Sequence, residues 1–211
     1  MRRIRGRSFV TTAVIPELIL ASASPRRQEL MRLIGLPFRV IPSGFDETSV
    51  PLWPPEQHVL GSATAKAENI ALRLDDGVII GADTIVVVDE EVLGKPADRD
   101  DARRMLRLLS GRTHYVYTGV CVVRRLGGYT VGIVRDYVRT EVCFRELSQA
   151  TIDAYVATGE PLDKAGAYGI QERASVLIEG IGGDYFNVVG LPVQRLSRLL
   201  AGVGVPVLGS E

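Results

Sequence analysis

One segment constrains this chain more than any other: the apolar, β-branched run from Val78 to Val88, which carries Gly81-Ala82-Asp83-Thr84 in its middle. Branched apolar residues in an uninterrupted row are those of a strand buried on both faces. An aspartate inside such a strand is costly to bury unless it is paired or bound to a metal. A glycine just ahead of it permits a bulge, or the close approach of another segment or a ligand. The fold must therefore be built around a central strand that carries a carboxylate. Asp83 is either a functional group or a core-edge carboxylate capping a turn.

The segments around that strand indicate its neighbours. Leu18-Ile19-Leu20-Ala21-Ser22 is a short buried strand, and Ser24-Pro25 provides an N-cap followed by proline at the first helical position. The helix that follows turns Leu30, Leu33 and Ile34 to one face and ends at Gly35. Phe38 to Ile41 is a further strand, a helix is expected over about Pro55–Leu74, and Asp89-Glu90-Glu91 is a hairpin-like turn. Asp98 to Leu109 reads as a helix with Ala102, Met105, Leu106 and Leu109 inward. Tyr115–Arg124 and Tyr129–Phe144 read as strands joined at Gly127-Gly128. Ser148–Thr158 is a helix, two strands are expected around Ser175–Ile178 and Phe186–Val189, and Leu191 to Leu200 is the last helix. Helices mixed with hairpins predict an α/β fold with a mixed, twisted sheet and flanking helices. No linker divides the chain; the expected limits are a tail over 1–16, a folded unit over 17–202 and a short tail over 203–211.

Four groups of residues suggest chemistry. Ser22-Ala23-Ser24-Pro25-Arg26-Arg27 places two arginines in the first turn of a helix, where free N–H groups and the dipole favour anions. Cations at that end oppose the dipole, and a bound anion would remove the conflict; a helix start with two solvated arginines is the equally weighted alternative. Asp83 with Thr84 is the second group. The third is dispersed: Glu47 in a loop, Lys66 on the helix face of Ala63, Ala67 and Ile70, and Lys95 in Leu93-Gly94-Lys95-Pro96. Taken singly these are ordinary surface charges, and a lysine on an apolar helix face usually snorkels to water. The fourth is the turn-rich stretch Gly159–Gln171, a long connection with Asp163, Lys164, Tyr168 and Gln171.

The overall charge limits the partners. Twenty-five basic side chains balance twenty-five acidic ones, so no broad basic field exists for nucleic acid or an acidic membrane surface. Aromatic residues at 6% supply few stacking faces for single strands. Cys121 and Cys143 lack metal-ligand spacing and read as small hydrophobes in a reducing compartment. No apolar run is long enough to span a bilayer. Arg2, Arg3, Arg5 and Arg7 precede the first acidic residue, Glu17, and read as a solvated tail or a transit sequence.

Taken together, Leu20–Arg27, Gly81–Val86, Lys95-Pro96, Glu160–Gln171 and Asn187–Pro192 resemble the Maf family of nucleotide pyrophosphatases over about residues 18–200. The resemblance implies two lobes around a central cleft, similar to inosine triphosphate pyrophosphatases, with Mg²⁺ or Mn²⁺ as cofactor, often a homodimer, and a cytoplasmic setting. One branch of the family prefers dTTP and UTP, another 7-methyl-GTP. The stretch Asp163–Gln171 is similar to the first branch, and Arg26, Thr84 and Gln171 stand at positions tied to that choice. A glutamine amide offers the donor and acceptor that suit thymine or uracil. The resemblance also implies metal ligation by Glu47 and Asp83, with Asp83 as proton acceptor. Ser24, Arg26, Arg27, Lys66, Lys95 and Lys164 would hold the triphosphate. Water attack at the α-phosphorus would give the monophosphate and pyrophosphate. CTP and modified pyrimidine triphosphates are further candidate substrates. A nucleotide-sensing regulator of cell division with little turnover, and a 7-methyl-GTP pyrophosphatase, are the alternative readings.

Overall fold

The computed structural model describes residues 16–46 and 49–208. The basic tail with Arg2, Arg3, Arg5 and Arg7, the loop residue Glu47 and the last three residues lie outside that range. No helix among the described residues is long and apolar enough to cross a membrane.

Among the described residues, seven strands form one mixed sheet. β1 (Leu18–Leu20) lies between β2 (Phe38–Val40) and β3 (Gly77–Val88), parallel to both. Beyond β3 the sheet continues antiparallel through β5 (Thr113–Leu126), β6 (Tyr129–Phe144) and β7 (Ile178–Gly182). The short β4 (Glu91–Leu93) folds back on the end of β3 through a turn with Asp89 and Glu90 at positive φ. The mixed sheet with flanking helices is the expected architecture.

The pairing along one edge of β3 positions the site. β1 pairs with Val78, Ile79 and Ile80, and β4 pairs with Val86, Val87 and Val88. Among the described residues no strand pairs with that edge between Ile80 and Val86. The sheet therefore splits open beside Asp83 and Thr84, while on the other edge β5 pairs with β3 throughout.

Alternation along the long strands sorts the helices. The face carrying Ile79, Gly81, Asp83 and Ile85 is covered by α2 (Pro55–Ala71), whose Val59, Ala63, Ala67 and Ile70 are fully buried. α2 lies close to the sheet because β3 and β5 present glycines beneath it. A Cβ at Gly81 would overlap the Ala63 carbonyl, and one at Gly119 the Val59 carbonyl. Gly81 makes no bulge in the β3–β5 register; its role is to admit α2.

The opposite face holds two separate apolar clusters. One packs Leu18, Leu20, Val78, Ile80 and Val120 against α1 (Pro25–Leu33) and α6 (Val193–Gly202). The other packs Val86, Val116, Val142 and Phe144 against α3 (Arg99–Leu109) and α4 (Gln149–Ala157). Between them runs a polar seam of Thr84, Thr118, Thr140 and Asn187. Thr118 donates to the Asn187 carbonyl at 3.0 Å, and the Asn187 amide donates to Thr140 Oγ1 at 2.9 Å. Two lobes thus share one sheet.

Three expectations are corrected. Phe186–Val189 is not a strand: it belongs to α5 (Tyr185–Val189), because the Asp184 carboxylate caps Phe186 and Asn187 N–H groups and starts a helical turn. Around Ser175–Ile178 the chain makes a 3₁₀ turn over Arg173–Leu177, and the strand begins only at Ile178. In α1, Leu33 faces solvent, and Leu30, Met31 and Ile34 make the inward face.

Candidate active site

A cleft of about 550 Å³ opens where the edge of β3 is unpaired. This is within the size range of small-molecule sites. Asp83 and Thr84 lie at its floor. The α1 start, with Ser24, Arg26 and Arg27, lines it on the side of the first lobe, and Lys95, Asp163, Lys164 and Gln171 line it on the side of the second. The structure therefore brings together nine of the ten residues singled out in the sequence. The tenth, Glu47, lies outside the described residues, although Pro42, Ser43, Gly44 and Phe45 ahead of it line the cleft.

Asp83 is buried, and its two oxygens differ. Oδ1 accepts from Lys66 Nζ at 2.7 Å. Oδ2 has no hydrogen-bond partner among the described residues, and His58 Nε2 lies 3.5 Å from it. Lys66 does not snorkel to water: it is 5% exposed, bonded to Asp83 and lying 3.4 Å from the Ala82 carbonyl. Both partners are buried, so the pairing offsets part of the cost of taking them out of water. His58 was not singled out in the sequence. It sits one turn into α2, its Nδ1 3.0 Å from the Pro51 carbonyl, and is found only because α2 lies on the Asp83 face.

Arg27 joins the two lobes. Its guanidinium donates to the Gly190 carbonyl at 2.9 Å, to Ser22 Oγ at 3.2 Å and to Thr84 Oγ1 at 3.1 Å. Thr84 Oγ1 is in turn 3.0 Å from Thr118 Oγ1, so the seam between the lobes fixes this arginine. Ser24 caps α1, its Oγ accepting from Arg27 N–H at 3.4 Å. Lys95 and Gln171 are exposed at the wall.

Arg26 and Lys164 have anionic neighbours. Arg26 Nη1 lies 3.5 Å from Asp163 Oδ2 and 3.7 Å from Glu172 Oε1, across the cleft. Lys164 Nζ donates to the Glu160 carbonyl at 2.7 Å and to Asp163 Oδ1 at 2.8 Å, and lies 3.4 Å from Glu172 Oε1. Partial burial would raise the Asp163 pKa, but the Lys164 hydrogen bond and the charges of Lys164 and Arg26 hold it below the usual carboxylate value. Behind the same loop, Tyr168 OH is 2.8 Å from Nε2 of the fully buried His114. Burial lowers the His114 pKa to about 4 and raises that of the Tyr168 phenol.

A carboxylate at the floor and cations on both walls, set at an open sheet edge, define an α/β protein with an anion-receiving cleft. The chain belongs to the Maf family: the family model described as Maf-like protein matches residues 17–203. It is 54% identical to a dTTP/UTP pyrophosphatase of Moorella thermoacetica, covering 92% of this chain and 98% of that one. It is 47% identical to a dTTP/UTP pyrophosphatase of Bacillus anthracis, covering 90% and 97%. Among solved structures, a HAM1 protein from Coxiella burnetii aligns with a TM-score of 0.48 at 18% identity, over 89% of this chain and 99% of that one.

Proposed function

We propose that this chain hydrolyses dTTP and UTP to the nucleoside monophosphate and pyrophosphate. The substrate choice follows the relatives, which share about half of their residues with this chain over nearly their whole length. One observation carries the chemistry: the buried Asp83 has one oxygen held by Lys66 and the other without a hydrogen-bond partner, at the floor of a cation-walled cleft.

In this reading a water beside Asp83 attacks the α-phosphorus, and its proton passes to the carboxylate. The bond from the α-phosphorus to the bridging oxygen breaks, and pyrophosphate leaves with the electron pair. Lys66 keeps the carboxylate fixed beside the water. The α1 N-terminus, Ser24, Arg27 and Lys95 receive phosphate oxygens and offset charge on the leaving group. Gln171, exposed on the wall, reads the edge of the pyrimidine with its amide.

The unsatisfied Oδ2 of Asp83 is a suitable oxygen donor for Mg²⁺ or Mn²⁺, which bind to one or two carboxylates together with substrate phosphates. Asp83 and Glu47 would hold the ion, and when bound it acidifies water and neutralises phosphate charge. A homodimer rests on the family resemblance alone. A cytoplasmic setting is in keeping with two free cysteines.

Asp83→Asn tests the assignment. The amide oxygen keeps the Lys66 bond, so the variant folds, and it loses nearly all turnover of dTTP and UTP. Normal rates in the variant would overturn the reading.

A further inference from the structure

Lys164 has been placed among the residues that hold the triphosphate, but its surroundings point elsewhere. An ammonium has three N–H donors. Around Lys164 Nζ stand three acceptors: the Glu160 carbonyl, Asp163 Oδ1 and Glu172 Oε1, at 2.7, 2.8 and 3.4 Å. The group is 5% exposed, and its arm lies on the backbone of Gly169, where a Cβ would come within 2.6 Å of Cε. Two of its donors are committed inside the second lobe, and the Glu172 carboxylate stands beside the group as a further counter-ion.

The two carboxylates that Lys164 gathers are the same two that face Arg26 across the cleft. We propose that Lys164, Asp163 and Glu172 form an internal anion that pairs with Arg26 across the cleft, so that a substrate phosphate must displace it. This refines the reading of the cleft as a polyphosphate site and rests on it. Lys164 then acts as a positioning residue for the carboxylates, and Glu172 as a specificity-determining one.

Charge explains what the device selects. Both arginines stand in the first turn of α1, where a cation opposes the helix dipole. Arg26 has the two carboxylates as its counter-ions. The Asp163 pKa, held below its usual value by Lys164 and Arg26, keeps this counter-ion charged at neutral pH. The Arg26 contacts are long and partly exposed, so they are weak. A polyanion can break them, while a singly or doubly charged product competes poorly. The device therefore favours triphosphate over monophosphate and assists product release.

Glu172→Gln removes one charge and keeps the side-chain shape. The probe is inorganic tripolyphosphate, with binding measured by calorimetry on the full chain at low and high salt, and thymidine monophosphate as the competing product. The variant should bind tripolyphosphate roughly 3–10-fold more tightly at low salt, with the gain shrinking at high salt. Its turnover of dTTP should become more sensitive to inhibition by the monophosphate, and its melting temperature should stay near that of the wild type. Unchanged or weaker binding of tripolyphosphate, or no binding by either protein, overturns the proposal. The two failures separate: wild-type turnover of dTTP with unchanged binding in the variant sinks the internal anion alone. Tighter binding in the variant without any nucleotide turnover sinks the pyrophosphatase reading alone.

Discussion

Lys66 Nζ stands 2.7 Å from Asp83 Oδ1, and both side chains are shut away from solvent. The pair joins the middle of α2 to the middle of β3. Removing the cation leaves a buried carboxylate without its counter-charge, which usually costs about 3 kcal/mol or more. Lys66→Met should therefore lower the unfolding free energy read from urea denaturation by that amount, as well as abolish turnover. A variant as stable as the wild type would contradict the pairing.

Gly81 and Gly119 set how closely α2 approaches the sheet. A methyl at Gly81 would overlap the Ala63 carbonyl and come within 2.8 Å of Ala67 N, both on the helix backbone. Backbone cannot yield as a side-chain tip can, so Gly81→Ala should push α2 outward and cost roughly 1–3 kcal/mol or more. Because α2 also carries Lys66 and His58, turnover should fall further than the lost stability explains. Thermal melting together with kcat for dTTP checks this; an unaltered kcat would contradict it.

His114 makes a pH prediction of definite sign. Burial lowers its pKa from 6.5 to about 4. Above 6.5 both folded and unfolded states hold it neutral, and its contribution is fully present. As the pH falls towards 4 the unfolded chain takes up the proton and the folded one does not, so stability is lost over that window. The loss attributable to this group is about 3 kcal/mol. His114→Gln lacks the titration, so the stability difference between wild type and variant should shift by that amount between pH 7 and pH 4. A difference constant with pH would contradict the buried, neutral state of His114.

Local chemistry made the first half of the site legible in the sequence. Ser24-Pro25 announces a helix start, and Asp83 stands out because nothing else in Val78–Val88 is charged. The inward residues of α3 follow from helical spacing alone. What failed to show depends on distant partners. Phe186–Val189 is apolar enough for a strand, but Asp184 caps it into a helix, a competition that composition does not resolve. Lys66 has the pattern of a snorkelling lysine, and only the crossing of α2 over Asp83 keeps it buried. His58 and Glu172 gain their meaning from residues 25 and 146 positions away, Asp83 and Arg26.

The most direct measurement is pyrophosphate release from a panel of nucleoside triphosphates, with Mg²⁺, with Mn²⁺ and with chelator. The account predicts metal-dependent cleavage of dTTP and UTP, one monophosphate for each pyrophosphate released, and none after chelation. Cleavage of 7-methyl-GTP in preference to dTTP and UTP would contradict the role given to Gln171, and binding of triphosphate without any turnover would contradict the account at its centre.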